Sequence, residues 1–318
     1  PESPRRFHFG FIGSSDNHYA RPGTGYKEFS RSGMTEAWRS QLPEIKNRLV
    51  GEVSEEEGAF SRAWRAASKR EAMMAGVRVF ERQASFLYTG GLVAVHARDR
   101  TREEIWKALE SRQVYATSGD RTLLWFDLLD AGDDSSTVVP MGGEATTTGN
   151  PRFRVRATGA FEQEPGCPDY TLGSLGADQL ARLCHGECYN PSDRRSRINR
   201  IEVVRIRPQN HPDEPVDDLI EDEWKVFRCP VDESGCVFEF EDPEFSTAKR
   251  DAVYYVRAIS EPKPLINGRN ENYQYDQAGN FLGMSPCDAQ GDDDCLGVNE
   301  PRAWSSPIFV AYGTGELR

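Results

Sequence analysis

The chain has 318 residues, enough for one large or two ordinary domains with a sizeable core. Its net charge of -12 is not offset by any basic block, which argues against a nucleic-acid partner but leaves open a small anionic substrate in a locally positive pocket. No run of about 18 apolar residues occurs, so no membrane span is expected.

The chain begins with Pro1 rather than Met, and an apolar strand is predicted from Phe7 onwards. This start is typical of a processed or truncated product. We therefore expect that any targeting signal belongs to a preceding portion.

A short polar motif follows the apolar run at residues 7–12. Residues 13–18 (GSSDNH) place a carboxylate and an imidazole two residues apart, where the predicted strand gives way to a loop. Side chains at i and i+2 of an extended segment point the same way, and an oxygen beside a nitrogen suits a divalent metal, so Asp16 and His18 are candidate ligands. Arg21, in the Gly/Pro-rich loop that follows, is a candidate for binding an anionic oxygen; the alternative is an ion pair with one of the 51 acidic residues.

Residues 1–130 have a predicted α/β character. A second buried strand is predicted at 90–95, and Thr101 with Glu104 forms a capping box that opens a helix whose apolar face contains Ile105, Trp106, Ala108 and Leu109. Strands are predicted again at 114–117 and 122–129. The order strand, helix, strand predicts a parallel, helix-covered sheet or barrel.

Two further side chains follow predicted strands. His96 ends the strand at 92–95, a position topologically like that of Asp16, and is a candidate for lining the same pocket. Arg121, in the predicted turn 119–121, is a second candidate anion contact. The other histidines are expected to be structural or unconnected with catalysis: His8, His185 and His211.

The pattern changes near residue 131. Short alternating runs separated by turns rich in Pro, Gly and Asp predict an antiparallel sandwich. We therefore predict two regions, an α/β region at 1–130 and a β-rich region with disulfide-closed loops at 131–318.

Two pairs of cysteines flank short loops. Cys229 and Cys236 bracket one loop, and Cys287 and Cys295 bracket another. Such loops are easily closed by disulfides, which predicts an oxidising compartment, periplasmic or extracellular.

The remaining cysteines are Cys167, Cys184 and Cys188, so one of the three is odd. The odd thiol is either free or paired with the missing portion. The run 184–188 (CHGEC) admits zinc as an alternative, but zinc motifs more often separate cysteines by two residues and add a second pair. A structural disulfide is therefore the favoured interpretation.

Several segments together resemble one bacterial family, the domain of unknown function 3604 family. They are residues 10–27 (GFIGSSDNHYARPGTGYK), residues 91–105 (GLVAVHARDRTREEI) continuing to 112–119 (RQVYATSG), and residues 302–309 (RAWSSPIF). Relatives of this family share the PHP (polymerase and histidinol phosphatase) metal-hydrolase fold.

The resemblance implies a fold and a site. Residues 1–130 would be the carboxyl-terminal part of a distorted PHP-type (β/α) barrel, and the family's Asp-x-His ligand motif maps onto Asp16 and His18. The family's other ligands, a His-x-His near its amino terminus with further His and Glu residues, are absent from this chain, which has five histidines in all. Family members usually carry Trp at the position of His96.

The implied activity is metal-assisted hydrolysis of a phosphoester or related ester by water activated on zinc, manganese or iron ions. Asp16, His18 and Arg21 would be the catalytic residues, and Arg21, His96 and Arg121 would contact the substrate. The remaining ligands would come from an amino-terminal portion of the same precursor or from another subunit. The alternative is a non-catalytic binding or assembly module in which the metal motif is a relic.

Overall fold

The computed structural model describes residues 7–14, 91–130, 137–184, 186–211, 213–266, 271–278, 281–286 and 296–313. Most of the described elements are strands: β1 (Leu92–Val95), β2 (Val114–Thr117), β3 (Leu123–Leu129), β4 (Val139–Pro140), β5 (Glu144–Thr147), β6 (Arg152–Thr158), β7 (Phe161–Gln163), β8 (Pro191–Arg195), β9 (Ile198–Ile206), β10 (Ile220–Arg228), β11 (Cys236–Glu241), β12 (Ala252–Ser260), β13 (Lys263–Ile266), β14 (Glu271–Tyr275), β15 (Phe281–Pro286), β16 (Leu296–Asn299), β17 (Arg302–Ser305) and β18 (Ile308–Tyr312). The helices are α1 (Arg102–Glu110), α2 (Asp169–Leu175), α3 (Ala177–Cys184) and α4 (Phe245–Ala248), with a 3₁₀ turn at Asp217–Leu219.

The strands form two main sheets. The large sheet has eight strands in the order β1-β2-β17-β12-β18-β5, with β9 beside β12 and β10 beside β9. The small sheet has the order β11-β6-β3-β4. Three two-stranded sheets pair β7 with β8, β13 with β16 and β14 with β15. Within the described residues, β18 and β5 pair in parallel, and the other ladders are antiparallel.

The two main sheets share one core. Phe153, Val155 and Ala157 alternate along β6 with arginines and are fully buried, as expected for a strand with one face on a core. The ring of Phe153 stacks on that of Phe126 in β3 with 5.4 Å between centroids. The same ring lies 4.6 Å from the ring of Tyr254 in the large sheet. The sheets therefore pack face to face through large aromatic side chains.

The prediction of a parallel, helix-covered barrel for residues 1–130 is wrong. β1 and β2 pair antiparallel, with Leu92 opposite Thr117 and Val95 opposite Val114. The chain after β1 passes through α1 and returns to the carboxyl end of β1, where the His96 N–H donates to Gln113 O (2.9 Å). A parallel partner would instead have to start at the amino end of β1. No sheet in the described part of the chain closes into a barrel.

The Thr101 cap of α1 is confirmed, whereas the Glu104 carboxylate binds Lys107 (2.6 Å) and the predicted packing of the helix is wrong. The Glu104 N–H donates to Thr101 Oγ1 (3.3 Å). Ala108 is the buried residue of this helix, whereas Ile105, Trp106 and Leu109 are 37%, 60% and 38% exposed. We call these three side chains the α1 apolar face. It lies at the surface instead of in the core.

Strands on both sides of the predicted boundary at residues 130 and 131 belong to the same sheets. Thr117 of β2 lies opposite Ala303 of β17, and Phe126 of β3 lies opposite Val155 of β6. Among the described helices, none is long and apolar enough to span a membrane.

A candidate anion-binding pocket

Asp16, His18 and Arg21 lie outside the described residues, so the metal site built on them stays a prediction. The segment 7–14 that precedes them is described and runs against the large sheet. A Cβ atom on Gly13 would lie 2.8 Å from Leu92 O and 3.1 Å from Thr117 O. This approach needs a glycine. It brings the segment beside the amino end of β1 and the carboxyl end of β2.

The turn after β2 is tied to the neighbouring strand. Gly119 has φ of 126°, a conformation that favours glycine. The Ser118 N–H donates to Arg302 O, and Ser118 Oγ accepts from the Arg302 N–H, both at 2.9 Å. These bonds fix the turn to the start of β17 and position Asp120 and Arg121, which follow.

A surface pocket opens beside this turn. It is a small surface cleft that is partly open to solvent. We call it the turn pocket. Its lining residues come from the turn, from the ends of β6 and β7, from the loop before β8 and from β13: Asp120, Arg121, Ala160, Phe161, Gln163, Tyr189 and Lys263.

Two cationic side chains, Arg121 and Lys263, line the turn pocket of this acidic chain. Lys263 Nζ lies 2.9 Å from Asp120 Oδ2, and this carboxylate is almost fully buried. The guanidinium carbon of Arg121 lies 3.9 Å from the centre of the Tyr189 ring, in a cation–π contact. The structure thus brings the predicted anion contact, Arg121, to a pocket with a second cation.

The wall of the turn pocket is held from behind. The guanidinium of Arg195 lies over the Phe161 ring, 3.6 Å from its centre. Gln163 Oε1 accepts from the Asn190 N–H (3.0 Å), next to Tyr189. These contacts fix the two aromatic rings that flank the cations, so the pocket is built from ordered side chains.

His96 does not line the turn pocket. Its Nε2 is 2.9 Å from Leu124 O. Because a carbonyl only accepts, Nε2 carries the proton in this bond. The His96 ring packs near Tyr115 and Trp125, with centroids 5.3 and 5.9 Å apart, and burial lowers the pKa of His96. His96 follows the carboxyl end of β1, roughly 13 Å from its amino end, and is not among the residues that line the turn pocket.

The surroundings of His96 are those of a packed structural histidine. Burial raises the pKa of Asp127, against the opposing charges of Arg156 and His96. Burial also raises the pKa of Tyr115 to about 12, and its hydroxyl donates to Thr122 O (2.9 Å). The imidazole is therefore held neutral by protein contacts alone.

His8 has the structural role that the sequence predicted. Its Nδ1 lies 2.8 Å from Glu144 Oε1, and its ring stacks on Phe309 with centroids 4.2 Å apart. Arg112 Nη2 binds the same carboxylate oxygen at 2.5 Å. These contacts attach segment 7–14 to β5 and β18.

Cys229 pairs with Cys236, as predicted. Among the three cysteines whose pairing the sequence left open, Cys167 pairs with Cys188, and Cys184 is the odd, free thiol. The predicted pair Cys287 and Cys295 lies outside the described residues. Two disulfides are compatible with an extracellular or periplasmic location.

A hydrolase metal cluster does not fit the described residues by themselves. Among them, the one group of three or more possible ligands with all ligand atoms within 4.8 Å is Cys167, Cys184 and Cys188. Two of these sulfurs are joined in a disulfide and offer no thiolate. Ligands for such a cluster would have to come from residues outside those that the structure describes, or from another portion or subunit.

Residues 4–160 match the model of a family described as "Protein of unknown function (DUF3604)". The match confirms the resemblance to this family over that segment, which includes Asp16, His18, His96 and Arg121. No curated protein and no solved structure matches the chain. The family's description gives no activity, and the relation to PHP hydrolases stays a prediction.

Proposed function

We propose that this chain is part of a metal-dependent hydrolase of phosphoesters or related esters, in which the turn pocket binds the anionic group of the substrate. The observation that carries the proposal is the pairing of Arg121 and Lys263 at one pocket of an acidic chain. The segment that leads to Asp16 and His18 supports it, because Gly13 lies against Thr117, the last residue before the pocket turn.

The two cations have different roles in this proposal. The planar guanidinium of Arg121 offers parallel donors that match two oxygens of a phosphate, and the Tyr189 ring beneath it limits its orientation. Lys263 supplies a compact positive charge that Asp120 holds at 2.9 Å. An incoming dianion competes with Asp120 for this ammonium group, so the pocket favours the more highly charged anion.

Asp16 and His18 would hold metal ions, zinc, manganese or iron, together with ligands from another portion of the polypeptide or another subunit. Such ions supply a water of lowered pKa and neutralise charge on the phosphoryl oxygens. The described residues contribute by binding the anion and holding it in a fixed orientation for reaction.

The α1 apolar face supports a partner for this chain. Leu109 lies one helical turn after the adjacent Ile105 and Trp106, and each of the three side chains is more than a third exposed. A cluster of large exposed apolar side chains marks an interaction surface. We propose that this surface packs against the portion that carries the remaining ligands, in the periplasm or outside the cell.

The test combines substrate turnover with anion binding. With a chromogenic phosphomonoester and Mn²⁺ or Zn²⁺, Asp16→Ala and His18→Ala should abolish turnover by the complete enzyme, and Arg121→Met should raise KM at least tenfold. Arg194→Met is the matched control. Arg194 lies in β8, the partner of the pocket-lining β7, but it pairs with Glu162 at the surface. An unchanged KM in Arg121→Met would remove the turn pocket from the proposal.

A non-catalytic binding module is the second candidate, favoured by the lack of a hydrolase ligand set among the described residues. Calorimetric titration of the whole chain with inorganic phosphate distinguishes the two. Binding that depends on Arg121 and Lys263, with no turnover under any metal even in the complete enzyme with the portion that carries the remaining ligands, would support the module and contradict the hydrolase.

A further inference from the structure

Three sulfur atoms lie together at the end of α3. Cys167 and Cys188 form a disulfide, and the free Sγ of Cys184 lies 3.7 Å from Cys188 Sγ. All three Sγ atoms lie within 4.8 Å of one another. We call them the sulfur triad. A thiol in contact with a disulfide can exchange with it once its side chain turns into line with the S–S bond.

The backbone around the sulfur triad is held by bonds that do not involve sulfur. The Cys188 N–H donates to Gly166 O (3.2 Å), and the Gly166 N–H donates to Glu187 Oε2 (2.9 Å). The Glu187 N–H donates to Cys184 O (2.9 Å). These bonds keep both Cys167 and Cys184 beside Cys188, and neither disulfide pairing has to break them.

The thiol of Cys184 bonds within its own helix. Its S–H donates to Leu180 O (3.2 Å), one turn back along α3. The side chain is partly accessible to solvent. Because only the thiolate attacks a disulfide, the rate of attack rises with pH.

We propose that the sulfur triad is a thiol–disulfide exchange site in which Cys188 alternates between two partners. The Cys184 thiolate attacks Cys188 Sγ, the Cys184–Cys188 bond forms as the Cys167–Cys188 bond breaks, and Cys167 leaves as a thiolate that takes up a proton. One disulfide and one thiol exist before and after, so no external oxidant or reductant is needed. The exchange moves the free thiol from the end of α3 to the loop before α2.

The experiment measures which cysteine is free. The full chain is held without added thiol at pH 6, 7 and 8, then treated with a maleimide, and cleaved after Arg182 and Glu187, which separates the three cysteines into different peptides. We expect label on Cys184 and also on Cys167, and each molecule labelled at Cys167 should carry a Cys184–Cys188 disulfide. The exchange should be faster at pH 8 than at pH 6, because the thiolate is the attacking form.

Two variants make the result decisive. Cys184→Ser should abolish all label on Cys167, because the attacking sulfur is gone. Cys167→Ser, oxidised with glutathione disulfide, should form the Cys184–Cys188 disulfide. The Cys229–Cys236 disulfide should stay unlabelled throughout and serves as the control for folding.

Three outcomes would overturn the proposal. The first is label confined to Cys184 at every pH. The second is a Cys167→Ser chain in which Cys184 and Cys188 both stay free under oxidation. The third is a chain purified without chelator that holds one zinc ion on three thiolates and has no disulfide at the triad.

Discussion

Arg205 and Arg121 both stack on aromatic rings but differ in burial and in their surroundings. The guanidinium carbon of Arg205 lies 4.5 Å from the centre of the Trp224 ring, and that of Arg121 lies 3.9 Å from the centre of the Tyr189 ring. Arg205 is buried on the large sheet, whereas Arg121 is exposed at the rim of the turn pocket. The stacking contact therefore does not distinguish a structural arginine from one that can bind a ligand.

The surrounding charges do distinguish them. Arg205 donates to Asp242 at 2.9 Å, and it also binds two further carboxylates, Glu221 and Glu244. Tyr254 donates to Asp242 Oδ2 (2.6 Å); burial raises the pKa of this phenol, and the charge on Asp242 raises it further. Three carboxylates thus bind Arg205 in the framework of the large sheet. Arg121 lines a surface pocket that Lys263 also lines.

The largest expected effect follows from removing Arg205. Arg205→Met leaves the buried Asp242 carboxylate without its cation, and should lower the free energy of unfolding by about 3–5 kcal/mol. Arg121→Met, at an exposed position, should change it by about 0.5 kcal/mol or less. Urea unfolding of the two variants measures the difference. Equal losses would mean that the turn pocket is as much a part of the folded framework as the Arg205 cluster.

Lys263 should combine both behaviours at intermediate size. Lys263→Met removes the cation beside the nearly buried Asp120, and should cost about 1–3 kcal/mol while also weakening phosphate binding. Lys263→Arg should restore most of both. Thermal melts with and without phosphate measure the two effects together. A variant that loses stability but keeps phosphate protection would assign Lys263 a structural role alone.

The smallest effect concerns His96. Burial lowers its pKa below the ordinary value of 6.5, so the unfolded chain binds the proton more readily than the folded chain. The stability from neutral His96 is present above pH 6.5 and is lost as the pH falls from 6.5 through the folded-state pKa. His96→Gln should flatten the pH dependence of unfolding in this range, as measured by urea unfolding of the variant and the wild type at each pH. Identical profiles for His96→Gln and the wild type would contradict this assignment.

Local features of the fold could be predicted from the sequence, and long-range pairing could not. The cap at Thr101 depends on residues within one turn, and the alternation along β6 depends on the two faces of one strand. Whether β2 pairs parallel or antiparallel with β1 depends on where α1 returns the chain, and the hydrophobic pattern carries no such information. The order strand, helix, strand therefore predicts a barrel, which the described sheets do not form.

For the candidate pocket, too, the sequence predicts local features but not which distant segments come together. Arg121 could be found because it follows a predicted strand in a Gly-Asp-Arg turn. Lys263 lies on the distant β13, and Tyr189 in the loop before β8, and nothing local in either segment marks a binding residue. The spacing of the α1 apolar face is that of a helix packed on a core, so the sequence predicts that these side chains are buried. Spacing alone does not show that they lie at the surface.

The pairing of β2 with β17 has a consequence for how the chain is made. Thr117 lies opposite Ala303, so β2 cannot pair with β17 until the chain as far as β17 has left the ribosome. Contacts of such large sequence separation form slowly and leave strand edges open in the meantime. A fragment that stops at residue 160, where the family match ends, would present the edge of β2 permanently to other chains. Expression of that fragment alone should yield aggregates instead of a smaller folded protein.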